Sequence, residues 1–410
     1  MQENVNTDKQ LRVGVIDFFA GCGGVSYGFS RAHIEGGSIE IIAGIDNDPH
    51  CVATYRKMLK KTAHELDIAE LVNAENPTLE QLIESWDLAR FDKIILIGCA
   101  PCQGFAAHRK SIEGKDHRRS LFGIFAEIAT RIRPDAIFME NVPDMFSKKH
   151  WPHYQAGRSV LEEAGYHVRS RIYNFADFGL PQERFRAVVM ASPLPFNMPE
   201  PLMGHELHTT VRAAIGHLPP LAAGQSSLID PMHVVSKHRA ETISLLRQVP
   251  PDGGNRPVGV GPACLDRARE KHGGYTDVYG RLAWDRPAVT ITARCRTPSC
   301  GRFAHPEQHR GLSIREAALL QGFPPEFMFE GPFDDKYKQI GNAVPPLVAQ
   351  RMAEHIFKSI LTPNSYHSST VAGEEFDVVK PVGPGFAVTI NGIKRRRVSV
   401  ASNNEEVVDA

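Results

Sequence analysis

The chain has 410 residues, enough for one large or two medium domains with ample core. Hydrophobic residues make up 42% and charged residues 23%, which excludes a wholly disordered, collagen-like or coiled-coil protein. Lys plus Arg and Asp plus Glu both number 47, so net charge identifies no partner, and a nucleic-acid surface requires the charge to be segregated along the chain.

No run reaches the roughly 18 apolar residues of a membrane helix, and the polar start MQENVNTDKQ has no apolar signal core. A cytoplasmic protein with no membrane partner is expected. Seven cysteines are odd in number and sparse, which speaks against a disulfide scaffold and leaves nucleophile or ligand as the special roles.

Val13 to Phe18 reads as a buried strand, followed by the Gly-rich turn AGCGG (20–24) and a helix. Ile39 to Ile45 is a second strand closed by Asp46, and 49–60 reads as a helix. Ile94 to Gly98 and Ala136 to Met139 are further apolar runs, with a helical pattern from Leu121 to Ile132 between them. Continuous apolar strands separated by helices predict an α/β fold with a doubly wound, mostly parallel sheet covered on both faces. Tyr166 to Asn174 and Phe185 to Ala191 read as a closing antiparallel pair. From about 193 the chain turns rich in Pro and Gly. Residues 201–310 carry 14 Lys and Arg against 9 Asp and Glu, a net of +5, and predict a second, smaller, irregular and basic module. Helices return at 313–322 and 345–361, and a polar tail follows 362 with the basic run 394–397. The domain division is therefore 11–192, 193–310, a 311–361 segment completing the first domain, and 362–410.

Three places bear chemistry. In DFFAGCGGVSYGF (17–29), glycines after a strand let a cofactor approach the backbone, and Asp46 at the end of the second strand could take ribose hydroxyls. A plain tight turn, with Phe19 as core, is the other reading. In IGCAPCQGF (97–105), a strand delivers Cys99, Cys102 and Gln103 to the carboxyl edge of the sheet. Cys99 and Cys102 could be a redox pair, half a zinc site, or a nucleophile activated by the basic residues His108, Arg109, Lys110, Arg118 and Arg119. Glu140 ends the next strand, and Gln182, Arg184 and Arg186 alternate on one strand face, where they could orient a planar polar substrate or simply face water.

Taken in order, these segments resemble the DNA cytosine-5 methyltransferases, particularly the bacterial modification type. The matches are DFFAGCGG (17–24), APCQGF (100–105), ENV (140–142), FGLPQERFR (178–186), REAALLQGFP (315–324) and IGNAVPP (340–346). The resemblance implies an S-adenosylmethionine-dependent methyltransferase fold, Rossmann-like, with a target-recognition domain in the basic module. It implies S-adenosyl-L-methionine held by Phe19, Gly21, Cys22, Gly23, Gly24, Asp46, Asn47, Asp67, Ile68, Pro101, Leu121, Asn342 and Val344, and no metal. Cys102 is implied as the thiolate that adds to carbon 6 of cytosine, and Glu140 as the acid at ring nitrogen 3. Arg184 is implied at the base carbonyl, with Arg186 in support. Since a thiol cannot reach carbon 6 inside a duplex, the cytosine must flip out, with Gln103, Arg118 and Gln182 contacting the substrate. The implied partner is double-stranded DNA. The enzyme is expected as a monomer in a bacterial cytoplasm, acting alone or beside a cognate restriction endonuclease for the same site. Two departures stand out: Ala106 replaces a common Ser, and Asn47 stands where a bulky residue is common. The rival readings are an RNA cytosine-5 methyltransferase, a non-catalytic DNA-binding regulator on the same fold, and an NAD-linked oxidoreductase suggested by the Gly-rich turn alone.

Overall fold

A computed structural model describes residues 10–72, 78–100, 121–272, 276–362 and 377–382. In chain order the strands are β1 (Leu11–Phe18), β2 (Gly37–Asp46), β3 (Thr62–Glu65), β4 (Lys93–Gly98), β5 (Ala136–Asn141), β6 (His167–Asn174) and β7 (Phe185–Ser192). Between them lie helices α1 (Gly24–Ser30), α2 (Pro49–Leu59), α3 (Thr78–Ser85), α4 (Leu121–Ile132) and α5 (Trp151–Glu163). After β7 come α6 (Val211–Ile215), α7 (Ala240–Gln248), α8 (Ala263–His272), α9 (Ile314–Leu320), α10 (Phe333–Asn342) and α11 (Pro346–Ile356).

The strands form one sheet in the order β3-β2-β1-β4-β5-β7-β6. β1 to β5 run parallel, and β7 is antiparallel to both β5 and β6. The strand order reverses between β1 and β4, so their carboxyl ends open a crevice, the ligand position of doubly wound sheets. The apolar runs follow from burial on both faces. Val13 and Val15 of β1 and Ile95 and Ile97 of β4 join one core with α1 and α11. Ile16, Phe18 and Leu96 join the opposite core with α4 and α5. A third core links Cys22 and Tyr27 to the segment after β7, through Val211, Trp284 and Ile291, and to α9 and α10.

The last helix, α11, packs against α1. A Cβ on Gly28 of α1 would meet Pro346 O at 2.3 Å, so only glycine lets α11 approach this closely. Ser313 and Glu316 form a capping box that starts α9. Strand β3 escaped the sequence reading because TAHE is short and polar. Residues 377–382, read from sequence only as polar tail, run from the edge strand β6 to the turn that follows β5. Val378 N donates to Ser170 O at 2.8 Å, and Val382 N donates to Phe146 O at 2.9 Å. Asp377 meets the buried Arg169 at 2.6 Å. Among the described residues, no helix is long and apolar enough to cross a membrane.

Candidate active site

The crevice is built from the ends of β1, β2, β4 and β5. After β1 the backbone enters the left-handed region at Phe19 (φ 57°), and Gly21 (φ 53°) and Gly23 (φ 86°) continue the turn into α1. Ala20 N donates to Ile45 O at 3.0 Å, tying the turn to β2. Gly21 N donates to Asp46 Oδ2 at 2.8 Å, and Asp48 N to Asp46 Oδ1 at 2.9 Å. Burial pushes the Asp46 carboxyl above the usual range, partly opposed by these backbone donors. Each oxygen keeps lone-pair capacity for a hydroxyl. Among the described residues, nothing lies within 4 Å of a Cβ built on Gly21, so they leave space over the turn there. At Gly24 a Cβ would meet Val344 O at 2.5 Å, which seats the α10–α11 connection directly on the turn.

These observations sort the expected cofactor residues. Phe19, Gly21, Asp46 and the exposed Asn47 stand at the open edge. Asp67 follows β3, whose last residue Glu65 pairs with Asp46, and its Oδ1 accepts from Ala69 N at 3.0 Å. Leu121 begins α4, half-buried, and Asn342 is exposed at the end of α10. Three of the expected residues have buried side chains. Cys22 is buried, its thiol 3.7 Å from Gln339 O, and burial pushes that thiol up to about 12. Ile68 and Val344 are core residues. Only the backbone of these three remains for a cofactor contact. Pro101, Cys102, Gln103 and Arg118 lie outside the described residues.

At the other side of the crevice, Glu140 closes β5 with 3% exposure. Its Oε1 sits 2.9 Å from Arg186 Nε. Its Oε2 accepts from the Cys99 thiol, at the end of β4, at 3.2 Å. The next residue, Asn141, donates from Nδ2 to Ala100 O at 3.0 Å, latching the end of β4 just before residue 101.

The two arginines therefore divide differently from the sequence reading. Arg184 is 2% exposed. Its Nη1 donates to Ile291 O at 3.0 Å, and its Nη2 to Gly341 O at 3.2 Å and Ala343 O at 3.1 Å. A guanidinium that donates to three buried carbonyls ties chain segments together. Gln182 is likewise internal, against expectation. Its Nε2 donates to Leu320 O and Gln321 Oε1, both at 2.7 Å, and its Oε1 accepts from Ile291 N at 2.9 Å. Arg186, half-buried and paired with Glu140, is the arginine at the crevice.

Sequence reasoning missed two contacts. Cys99 stood out only through its spacing to Cys102, and nothing local announced Glu140 as its partner. The second is beneath the glycine turn. Ser26 Oγ donates to Asp17 Oδ2 at 2.6 Å and lies 2.9 Å from the Tyr55 hydroxyl. Burial lifts the Asp17 carboxyl to about 7, against the pull of the Ser26 hydroxyl.

A family model described as C-5 cytosine-specific DNA methylase matches residues 13–358. The chain is 36% identical over 355 residues to the type II methylase M.HgiDII of Herpetosiphon aurantiacus, covering 83% of this chain and 94% of that protein. It is 32% identical over 348 residues to the type II methyltransferase M1.HphI of Haemophilus parahaemolyticus, covering 84% and 86%. Among solved structures, an E. coli prophage-encoded protein described as a DNA modification methyltransferase superposes with a TM-score of 0.63 at 21% identity, covering 85% of this chain and 99% of that one.

Proposed function

The chain belongs to the C-5 cytosine-specific DNA methylases, and from that membership we propose how its residues divide the work of methylating a cytosine flipped out of duplex DNA. The observation that carries the reading is the junction of β4 and β5. There a buried carboxylate is held between Arg186 and Cys99, which precedes Cys102 by three residues in the sequence, and lies across the crevice from the glycine turn.

S-adenosyl-L-methionine is the proposed methyl donor; when bound it supplies an electrophilic methyl group. The open space over Gly21 and the Asp46 carboxylate at its edge fit such a group. Phe19 borders the adenine, Asp46 takes ribose hydroxyls, Asp67 takes the adenine amine, and Asn342 closes the pocket. The Cys102 thiolate adds to carbon 6 of cytosine, which makes carbon 5 nucleophilic enough to accept the methyl group. Glu140 enters this step as the acid: it gives its proton to ring nitrogen 3, so the negative charge of addition ends on its carboxylate beside Arg186, it accepts from the exocyclic amine, and it takes the proton back when the thiolate leaves. Arg186 holds the Glu140 carboxylate and offers its remaining N–H groups to the base carbonyl. A base then takes the carbon 5 proton, the carbon–sulfur bond breaks, and the thiolate is restored. Arg184 and Gln182 act at a distance, fixing Ile291 and Gly341 so that the module at 193–310 keeps its place over the crevice.

The 193–310 segment is the proposed target-recognition domain, with 11–192 and 311–361 forming the catalytic domain. The chain is expected to act as a monomer in the cytoplasm, as the modification partner of a restriction endonuclease with the same target. Replacing the target cytosine by 5-fluorocytosine tests the chemistry, because fluorine at carbon 5 blocks the final elimination. A stable adduct of duplex DNA mapping to Cys102 supports the mechanism; an adduct on another residue, or none in the presence of cofactor, overturns it.

A further inference from the structure

The net positive charge of residues 201–310 is not spread evenly. Five of its arginines are taken up in ion pairs: Arg212 with Asp285, Arg256 with Asp266, Arg296 with Asp334, Arg302 with Asp277, and Arg310 with Glu316. Arg281 is fully buried among backbone carbonyls. The remaining charge includes a cluster on one element, helix α8.

Helix α8 is unusual in its setting. No residue whose burial is described within it is buried, and among the described residues none joins a hydrophobic core. A ten-residue helix is marginal in water without packing, so its geometry needs another source. That source is its first turn. Asp266 accepts from Arg256 Nη2 and from Gly259 N at 3.0 Å, while Arg256, 5% exposed, also donates to Pro257 O at 3.1 Å. The anchor holds the helix by its first turn and leaves Arg267, Arg269, Glu270 and Lys271 exposed, while Leu265 and Ala268 are half-buried. Arg267 and Lys271 are both exposed and stand four residues apart, on one face.

The root of the helix is stitched toward the crevice. Asn255, beside Arg256, accepts from Arg302, whose Nη1 also donates to Gly253 O at 2.9 Å and Arg281 O at 3.0 Å. Tyr279 N donates to Pro298 O at 2.8 Å. The same run of chain reaches Ile291, which Arg184 and Gln182 clamp, and Ala293, whose amide lies 2.1 Å from a Cβ built on Gly341.

We propose that α8 is a docking helix for the sugar–phosphate backbone of the duplex, with Arg267 and Lys271 each neutralising a phosphate. The proposal rests on the duplex-DNA reading above and adds to it the element and side chains that meet the strand. A polar helix anchored through its first turn, with Arg267, Arg269 and Lys271 exposed against one exposed carboxylate, Glu270, is complementary to a polyanion.

The test is the salt dependence of duplex binding, measured by titration at several potassium chloride concentrations for the full chain and for the double variant Arg267→Ala, Lys271→Ala. Each phosphate contact contributes about 0.9 to the slope of log K against log salt, so the double variant should lose about 1.8 from that slope and bind duplex more weakly at every salt concentration. Its affinity for S-adenosylmethionine should match the parent, which separates the effect from misfolding. If the double variant fails that check, Arg267→Gln and Lys271→Gln singly should each lose about half as much slope. Wild-type protein that binds duplex, with a variant of unchanged slope and affinity, overturns the role of α8 alone. Wild-type protein with no duplex binding overturns the functional reading and this proposal together.

Discussion

Exchanging the two arginines of the 182–186 segment for lysine should have opposite consequences. Arg184 reaches three carbonyls through two nitrogens, Nη1 on Ile291 and Nη2 on Gly341 and Ala343. An ammonium is one point and cannot occupy both positions, so Arg184→Lys leaves one or two carbonyls bare in a buried setting. Each costs about 1–3 kcal/mol, giving an expected loss of about 2–4 kcal/mol. For a chain of this size that lowers the melting temperature by about 4–8 °C, at about 2 °C per kcal/mol. Arg186→Lys keeps a cation beside Glu140 and should melt within about 2 °C of the parent. It lacks the fork that joins Glu140 to the base, so kcat should fall by about 100-fold. Scanning calorimetry and single-turnover methyl transfer on both variants provide the comparison. If Arg184→Lys melts with the parent yet loses turnover, Arg184 belongs to the chemistry and the clamp is wrong.

Three further outcomes are expected. Deleting 377–410 should lower the melting temperature further than deleting 383–410, because it also removes Asp377 from two buried arginines, Arg169 and Arg171. Equal melting of the two truncations would show that the 377–382 segment contributes nothing. The folded protein holds a proton on Asp17 up to about pH 7, which the unfolded chain releases near pH 4, so this residue's contribution to stability is full below about pH 4 and falls as pH rises to 7. Asp17→Asn should therefore raise the melting temperature more at pH 8 than at pH 5, and an equal shift at both would remove Asp17 as the titrating group. Cys99→Ala removes the donor to Glu140 Oε2 and should reduce kcat several-fold without changing cofactor affinity, whereas Cys99→Ser should recover most of the rate. An alanine variant as active as the parent would make the contact incidental.

The parts of this molecule legible in its sequence are those set by local pattern. β1, β4 and β5 read as strands because both faces are buried, which turns alternation into continuous apolar runs. Asp46 and Glu140 were singled out because the end of a parallel strand is where such a sheet presents side chains. The roles of Arg184, Arg186 and Gln182 were not legible. Alternation places side chains on a face, but the partners of Arg184 lie more than 100 residues away, at Ile291, Gly341 and Ala343. Cys22 sat inside the best-matched motif, yet its side chain belongs to a core formed with residues from the far end of the chain. Strand β3 and the 377–382 segment are short and carry little pattern, and their places are fixed by neighbours that only the folded chain supplies.

The central claim is transfer of a methyl group to carbon 5 of cytosine in duplex DNA. The measurement is incubation of the protein with duplex DNA, or with transfer RNA, and S-adenosylmethionine labelled in its methyl group, followed by digestion to nucleosides. Label in 5-methyldeoxycytidine, recurring at one DNA sequence and absent after Cys102→Ser, is the predicted result. Label confined to RNA, or in no nucleoside while the cofactor remains bound, would contradict it.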